Sequence, residues 1–343
     1  MSRKPRSPRR GHGRATLDDV ARLTGVSAIT VSRALRSPEL VASQTREKIQ
    51  EAIAEIGYIP NLVAGSLASI ESRTIAAIVP TLENSIFAEM LQGMVDVLHG
   101  RGYQLILGSN NYDLDEEEAL VRAFLARQVE GMILTGAAHS GGTTALLDMA
   151  HLPVVETWSL LGSPSAGSVG FSNFQAAYRT VEHLHERGYR ELAFVSAPVG
   201  NNDRASERRK GFVQALEDLG LRKRPDTFLT SSFGLRAGAE ALGVILERRP
   251  ETDAVFFAND TLAAGAILEA HRRDLAVPGD VAIAGFDDLE IASQVIPSLT
   301  TVRVHRHALG SKAAQLILDT LDGHRVESRN LDLGFEIVVR EST

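Results

Sequence analysis

The stretch GVSAITVSRALR, residues 25–36, has the pattern of a short amphipathic helix with an unusual second face. Val31 and Leu35 are spaced so that both can lie on one buried side of this helix. Ala28 and Ile29 fall elsewhere on it, at positions where a solvated helix usually carries Lys or Glu. The pattern indicates that this apolar pair contacts something outside the protein's own core.

The residues around this stretch, 16–58, have the pattern of three short helices. Thr16 is suited to cap the first helix, and Gly25 follows its last residue. The second helix begins with Ser27 as its cap, and the third spans residues 43–57. Two short helices joined by a tight turn that contains glycine are typical of a helix-turn-helix, whose second helix enters the major groove of DNA.

In a helix-turn-helix the first turn of the second helix meets the edges of the bases. Ala28 and Ile29 lie on that turn, where an apolar side chain can contact a thymine methyl group, and Arg33 can donate paired hydrogen bonds to guanine. The residues alone also fit a three-helix bundle with two exposed apolar side chains, which is common. The hydroxyl groups that can reach phosphates belong to Ser27, Thr30 and Ser32.

The charge distribution favours contact with a polyanion at the N-terminal end of the chain. The 343 residues carry a net charge of −7, but residues 1–70 hold 11 Lys and Arg against 6 Asp and Glu, and the remaining 273 hold 25 against 37. A basic first part on an acidic body suggests nucleic acid binding, although a basic tail without a partner gives the same asymmetry. Residues 1–14, rich in Arg, Pro and Gly, are expected to be a disordered basic tail.

Other classes of protein fit the composition poorly. Cysteine is absent, which excludes disulfides, thiolate metal sites and a cysteine nucleophile. No apolar run is long enough to span a membrane, and no apolar segment follows the basic N-terminus as in a secretory signal. We therefore expect a cytoplasmic protein without a membrane partner.

From Ile75 onward, short apolar runs that end in small or polar residues alternate with amphipathic stretches. This alternation predicts an α/β fold with parallel sheets covered by helices on both faces. The run is too long for one open sheet, so we expect two lobes, with crossovers near residues 159–173 and 286–305. Ligands bind at the carboxyl ends of strands in such folds. The predicted strands are TIAAIVP, YQLILGS, VEGMILTG, LPVVE, ELAFVSAP, DAVFFAND and DVAIAGFDD.

The motifs VSxxTVSR, TREKI and GYIPN, at their spacing within residues 16–69, resemble the headpiece of the LacI/GalR family of bacterial transcription regulators. The resemblance continues through GFVQAL, FFANDTLAAGA and VAIAGFDDLEIASQVIPSLTTV, so it covers almost the whole chain. It implies an all-α helix-turn-helix headpiece, a hinge helix, and a two-lobed core like that of periplasmic binding proteins. The implied boundaries are 1–14 for the tail, 15–60 for the headpiece, 61–72 for the hinge helix and linker, and 73–343 for the effector-binding and dimerisation core.

The same resemblance implies a role for the hinge. Leu67 corresponds to the residue that wedges into the minor groove and kinks the duplex, at a cost of a few kcal/mol of unstacking. Gly65 departs from the family pattern and weakens the helix by about 1 kcal/mol relative to Ala. Without the resemblance, we would expect Leu67 to contact the core of the regulatory domain. The DNA-contacting residues are then expected to be Thr16, Ser27, Ala28, Ile29, Thr30, Ser32, Arg33, Asn61, Ala64 and Leu67.

The resemblance also implies an effector site at the strand ends. Arg208 stands where the family has an arginine that grips the effector, and Ser172 replaces a frequent aspartate, which suggests a cleft with excess positive charge. Such a cleft suits an anion held by charge-assisted hydrogen bonds. At each single position a helix cap or a solvated charge is the better explanation, and only the joint match of these positions favours the cleft. The implied effector-binding residues are Ser85, Ile86, Phe87, Asn173, Arg208, Phe233, Asn259, Asp287 and Arg306.

Several segments, among them VPTLENSIFAEML and VGFSNFQAA, resemble the branch of gluconate-operon repressors. We therefore expect gluconate or a related sugar acid as effector, its carboxylate held by Arg208; a phosphorylated or a neutral sugar is the alternative. The overall expectation is a repressor that binds a palindromic DNA operator as a homodimer. The C-terminal end lacks heptads, which favours a dimer over a tetramer.

An enzyme such as a sugar kinase or dehydrogenase is the main alternative class. The chain contains neither GxGxxG after a strand nor GxxxxGK[ST], and we expect no catalytic residue, metal or cofactor. A transport binding protein is the second alternative. Arg33 and Leu67 separate these classes, because neither alternative needs them.

Overall fold

The computed structural model divides into two compact units, residues 1–72 and 73–343. The expected tail and the hinge residues Asn61, Ala64 and Leu67 lie outside the described residues. The residues that the structure describes are 15–58, 72–162, 167–198, 200–224, 226–324 and 329–343.

The described residues 15–58 of the first unit form three α-helices packed on a small core. Val20, Val31 and Ile49, one from each helix, are almost fully buried at its centre. Leu35 was expected on this buried face but is 38% exposed, and the smaller Ala34 lies in the core in its place. The helices are α1 (Leu17–Thr24), α2 (Ala28–Arg36) and α3 (Ser43–Ile56).

The second unit contains two parallel sheets and one antiparallel pair of strands. A six-stranded parallel sheet has the order β11-β5-β4-β3-β1-β2, and a four-stranded parallel sheet has the order β7-β6-β8-β9. β10 and β12 form the antiparallel pair. The strands are β1 (Thr74–Val79), β2 (Gln104–Ser109), β3 (Gly131–Thr135), β4 (Val154–Thr157), β5 (Gly167–Gly170), β6 (Leu192–Ser196), β7 (Phe228–Thr230), β8 (Ala254–Phe257), β9 (Ala282–Ala284), β10 (Thr301–Arg303), β11 (Asn330–Asp332) and β12 (Glu336–Val338).

Alternate residues of each central strand are buried on opposite sides of the sheet, since helices cover both of its faces. In β1, Ile75 belongs to one apolar cluster and Ala76 to another, and β6 repeats this with Phe194 and Val195. The fold is therefore α/β with parallel sheets, as predicted. The helices of this unit are α4 (Ile86–Gly100), α5 (Leu114–Leu125), α6 (Gly141–Ala150), α7 (Asn173–Glu186), α8 (Asp203–Asp218), α9 (Leu235–Arg248), α10 (Asp260–Arg272), α11 (Glu290–Gln294) and α12 (Arg306–Leu321).

The chain passes between two lobes, each built on one of the parallel sheets. Lobe 1 contains the six-stranded sheet with α4 and α12. These two helices pack closely because Gly310 has no side chain, and a Cβ there would collide with the Met90 carbonyl oxygen. Lobe 2 contains the four-stranded sheet with α8, α9 and α10. The crossovers follow β5 and β10, and a third one, between β11 and β12, was not predicted. In the described part of the chain, no helix is both long and apolar enough to cross a lipid bilayer.

Candidate DNA-binding surface and effector cleft

The turn between α1 and α2 has the geometry of a helix-turn-helix. Gly25 ends α1 with a φ of 70°, in the left-handed region that glycine adopts without strain. The Ser27 hydroxyl caps α2 by accepting a hydrogen bond from the Thr30 backbone N–H at 3.2 Å. At the other end of the motif, Thr16 and Asp19 form a reciprocal capping box on α1. These caps fix where both helices begin and end.

The outer face of α2 presents the side chains that the sequence assigned to DNA. Ile29 is 72% exposed, and Arg33, one helical turn later, is exposed on the same face. Ala28, Thr30 and Ser32 are half-buried beside them. The structure therefore brings together an apolar group and a guanidinium that the small core of this unit does not use.

In the second unit, the carboxyl ends of the strands of both lobes face one cleft. Lobe 1 contributes the residues that follow β1, β2 and β4, and lobe 2 contributes those that follow β6, β7, β8 and β9 together with the first turns of α8. This is where ligands bind in open α/β sheets. The cleft is lined by Asn84, Ile86, Phe87, Tyr112, Trp158, Ala197, Asn202, Arg204, Ala205, Arg208, Phe233, Ala258, Asn259, Leu262 and Asp287.

Arg208 and Asp287 form the central charged pair of the cleft. The Arg208 Nη1 donates to the carbonyl oxygen of Ala258 at 2.9 Å, and its guanidinium lies 4.2 Å from the centre of the Phe286 ring. Burial raises the pKa of Asp287 to about 6, although the charges of Arg208 and Arg306 act in the opposite direction. Within the described chain, neither Arg208 Nε nor Asp287 Oδ1 has a hydrogen-bond partner, and both are buried.

A second guanidinium crosses the cleft from lobe 2 to lobe 1. The Nη1 of Arg204, in the first turn of α8, donates to the Thr135 carbonyl oxygen at the end of β3 and to the Asp203 carboxylate, both at 3.1 Å. The other Asp203 oxygen accepts the backbone N–H of Ala137 at 3.1 Å. Gly136, at a φ of 88°, leaves the space for this approach, because a Cβ there would collide with Arg204.

Tyr112 fills most of the remaining space. Its ring stacks on Phe233 from the opposite lobe, with ring centres 6.2 Å apart and an interplanar angle of 16°. Burial raises the pKa of its hydroxyl, and the charges of Arg204 and Arg208 counteract this. The cavity that remains is about 30 Å³, room for little more than one water molecule. A ligand larger than a few water molecules therefore needs more room than this conformation provides.

Strained backbone marks the same site. Tyr112, Trp158 and Asp287 have φ values of 61°, 68° and 107°, in a region that residues other than glycine seldom adopt. Each such residue costs on the order of 1–3 kcal/mol and persists only where the surroundings hold it. The Asn259 amide is one such constraint, since it donates to the Asp287 carboxylate at 2.7 Å.

Both units match known protein families. Residues 16–61 match the model of bacterial regulatory proteins of the lacI family, and residues 181–343 match a periplasmic binding protein-like domain. The chain is 39% identical to the HTH-type transcriptional regulator GntR of Pseudomonas aeruginosa, over 96% of either chain.

The chain belongs to the LacI family of bacterial regulatory proteins.

Solved structures agree with this assignment. A LacI-family transcriptional regulator from Silicibacter pomeroyi superposes with a TM-score of 0.89 at 32% identity, over 96% of this chain and 99% of that one. The lac repressor dimer bound to operator and the anti-inducer ONPF superposes with a TM-score of 0.82 at 26% identity, over 96% of this chain and 99% of that one. This LacI-family protein is thus a DNA-binding transcriptional repressor rather than an enzyme.

The structure gathers six of the nine expected effector residues of this LacI-family protein in the cleft. Three do not line it. Ser85 is exposed, and its neighbour Asn84 faces the cleft instead. Asn173 is buried and donates to the Trp158 carbonyl oxygen at 2.7 Å. The six that line the cleft are Ile86, Phe87, Arg208, Phe233, Asn259 and Asp287.

The third residue outside the cleft is Arg306. Its guanidinium donates to the carbonyl oxygens of Asp287 and Asp288 and pairs with Glu89 at 2.7 Å, so it braces the crossover behind the cleft. Ser172 caps α7 by accepting the Gln175 N–H at 3.1 Å and does not line the cleft either. Neither residue therefore lines the cleft, contrary to the expectation from sequence.

Sequence reasoning missed several residues of the cleft. Arg204 lies one helical turn before Arg208, and this i, i+4 spacing was a signal that both could face the same side of α8. Tyr112 and Trp158 follow predicted strands but gave no distinguishing pattern. The cleft residues that were not predicted are Asn84, Tyr112, Trp158, Ala197, Asn202, Arg204, Ala205, Ala258 and Leu262.

Proposed function

We propose that this repressor binds a sugar acid, gluconate or a close relative, in the cleft between its lobes, and that this binding controls its affinity for a palindromic operator. The observation that carries the proposal is the charge of the cleft lining. Two guanidiniums, Arg204 and Arg208, and one carboxylate, Asp287, line it, and all three are buried. A neutral sugar leaves this excess positive charge of the lining uncompensated inside the cavity, because Asp203, the ion-pair partner of Arg204, does not line it.

The remaining lining residues suit a polyol chain. The unpaired Asp287 Oδ1 can accept a hydroxyl proton, and Asn259 holds that carboxylate in place. Phe233 offers an aromatic face to the carbon chain in the position that Tyr112 now occupies. The resemblance of the sequence to gluconate-operon repressors supports the same class of ligand.

Effector binding is tested on the full chain. The sequence contains a single tryptophan, and Trp158 lines the cleft, so its fluorescence reports on ligand entry. Titrations with gluconate, glucose 6-phosphate and glucose compare the three ligand classes. We expect saturable binding of gluconate and none of glucose. Binding of glucose 6-phosphate alone would select the phosphorylated-sugar alternative, and binding of glucose as tight as that of gluconate would reject the anionic effector.

We propose that α2 reads the operator, with Ile29 and Arg33 at the bases and the hydroxyl groups of Ser27, Thr30 and Ser32 at phosphates. Thr16 and the hinge residues Asn61, Ala64 and Leu67 complete the proposed contacts. The exposure of Ile29 and Arg33 on one face of α2 supports this role. In a permutation assay, Leu67→Ala should bend operator DNA less than the wild type does; equal bending would contradict the wedge.

A homodimer follows from the palindromic site, since two-fold protein symmetry matches two-fold DNA symmetry. Two exposed leucines in lobe 2 support it: Leu235 and Leu268 lie in one groove between α9 and α10, among charged side chains, and each is about 40% exposed. Leu268→Glu should convert the dimer to a monomer in sedimentation velocity experiments. Met149→Glu, on α6 of lobe 1, is the control and should leave the dimer intact, because Met149 is equally apolar and 68% exposed. A wild-type monomer would contradict the proposal.

A further inference from the structure

The two arginines of the cleft differ in how their charge is balanced. Arg208 lies close enough to Asp287 for each to act strongly on the charge of the other, and Asp287 lines the same cavity. A ligand therefore meets Arg208 and Asp287 as a neutral pair. Arg204 has Asp203 as its ion-pair partner at 3.1 Å, but Asp203 does not line the cavity and also holds the Ala137 N–H.

The donor and the acceptor that remain unused in the Arg208–Asp287 pair suit a hydroxyl group of a ligand. Arg208 Nε is a donor and Asp287 Oδ1 is an acceptor, and the described residues provide neither with a partner. A hydroxyl both accepts and donates, so one hydroxyl can satisfy both atoms. A carboxylate only accepts, and it would place a second negative charge beside Asp287. The Arg208–Asp287 pair is therefore better suited to a sugar hydroxyl than to an acid group.

Arg204 has hydrogen-bond donors beyond those that its bonds within the protein use. A guanidinium has five N–H donors, and the bonds to Thr135 and Asp203 both use Nη1. The charge of Arg204 acts against the burial that raises the pKa of the Tyr112 hydroxyl, so the two groups lie near each other in the cleft. The donors of Arg204 that Thr135 and Asp203 do not use suit an anionic oxygen, which binds a guanidinium more strongly than a neutral oxygen does.

We infer that the acid group of the effector binds the guanidinium of Arg204, and that the Arg208–Asp287 pair binds a hydroxyl of the same ligand. Arg204 is then the residue that makes the cleft prefer an acid to a neutral polyol. This inference rests on the proposed sugar acid effector. It moves the acid group from Arg208, where the resemblance placed it, to the residue one helical turn earlier.

A matched pair of ligands tests the assignment. Gluconate and glucitol have the same carbon chain and differ at one end, where gluconate carries a carboxylate and glucitol a hydroxymethyl group. Affinities of the full-length wild type, Arg204→Gln, Arg208→Gln and Lys210→Gln are measured by calorimetry and by Trp158 fluorescence. Lys210 is exposed on the same helix, so its substitution removes one positive charge outside the cleft. Thermal unfolding shows which variants remain folded.

We expect the wild type and Lys210→Gln to prefer gluconate over glucitol by the same factor. Arg204→Gln should lower the affinity for gluconate about 10- to 100-fold, the size of a lost charge-assisted hydrogen bond, and leave the affinity for glucitol nearly unchanged. Arg208→Gln should weaken both ligands by similar factors, because a hydroxyl site serves both.

The results distinguish a wrong position of the acid group from a wrong class of effector. If Arg204→Gln folds and keeps the wild-type preference while Arg208→Gln loses it, the acid group binds Arg208; this inference is then wrong and the sugar acid proposal stands. If the wild type binds glucitol as tightly as gluconate, or binds neither, the proposed function itself fails. If Arg204→Gln does not fold, Arg204→Lys provides the test. Lysine keeps the positive charge but loses the paired donors of the guanidinium. An unchanged gluconate affinity of this variant would contradict the inference.

Discussion

The side-chain amide of Asn259 donates a 2.7 Å hydrogen bond to the carboxylate of Asp287, which joins the carboxyl ends of the neighbouring strands β8 and β9. This contact holds the buried carboxylate at the cavity, where burial raises its pKa to about 6.

Gluconate affinity should increase as the pH falls from about 8 to about 6. A bound anion disfavours the charged form of Asp287, so the pKa of Asp287 rises further in the complex and binding takes up a proton. Gluconate stays ionised throughout this range, since carboxyl groups have ordinary pKa values near 4. Calorimetry in buffers of different ionisation enthalpy measures the proton uptake, and the slope cannot exceed about tenfold per pH unit.

Asp287→Asn is the control for this pH dependence, because it keeps the shape of the side chain without the titration. Its residual gluconate affinity should be flat over the same range. A wild-type affinity that is constant or decreases as the pH falls would show that Asp287 does not titrate beside the ligand.

Arg33→Ala should weaken binding to the specific operator by about 1–3 kcal/mol and binding to random DNA much less. The reason is that a bidentate contact to guanine discriminates between bases, whereas a phosphate contact does not. Fluorescence anisotropy on both DNAs at one salt concentration measures the difference. Equal losses on the two DNAs would mean that Arg33 only contacts phosphate.

The stability of the larger unit should fall as the pH rises from about 6.5 to about 9 because of His139. Burial alone would lower the pKa of His139, but the hydrogen bond to Glu117, at 2.7 Å, and the Glu156 carboxylate 3.6 Å away outweigh it and raise the pKa to about 9. A raised pKa means that the folded state binds the proton more tightly than the unfolded state. The stabilisation is therefore complete below about pH 6.5 and is lost as the pH passes 9, in total on the order of 3 kcal/mol.

Urea unfolding followed by Trp158 fluorescence measures this profile, because the single tryptophan lies in the larger unit. His139→Gln should be less stable than the wild type at pH 6.5 and should show a flatter profile between pH 6.5 and 9. Parallel profiles for the two proteins would show that His139 is not the titrating group.

The fold was largely predictable from sequence because its elements have strong periodic signals. All seven predicted strands are present, since buried parallel strands such as β1 and β8 are continuous apolar runs. The strands that were missed, β5, β7, β10, β11 and β12, have only three or four residues each, too few to show a periodic pattern. Their pairing is decided by tertiary contacts such as the parallel register of β11 with β5, which local sequence does not encode.

The cleft was less predictable, because its composition depends on which side chains meet across the lobes. Asp287 and Asn259 were found from their position at strand ends, but Asp260 next to Asn259 turns away and accepts the Leu289 N–H at 2.7 Å. Asp288 likewise pairs with Arg303 at 2.6 Å outside the cleft. Tyr112 enters the cleft only because two consecutive residues, Asn111 and Tyr112, adopt a left-handed backbone. No pattern in the sequence marks that turn.

The measurement that tests the central claim most directly is operator binding by the full-length repressor with and without gluconate. DNA fragments from the region upstream of its own gene are used in a gel shift at fixed salt, with glucitol as the matched neutral control. We propose that gluconate and the operator favour opposite states of the repressor, so gluconate should lower the operator affinity about 5- to 150-fold, and glucitol at the same concentration should not change it. An operator affinity that gluconate leaves unchanged, or that glucitol shifts to the same extent, would contradict the account.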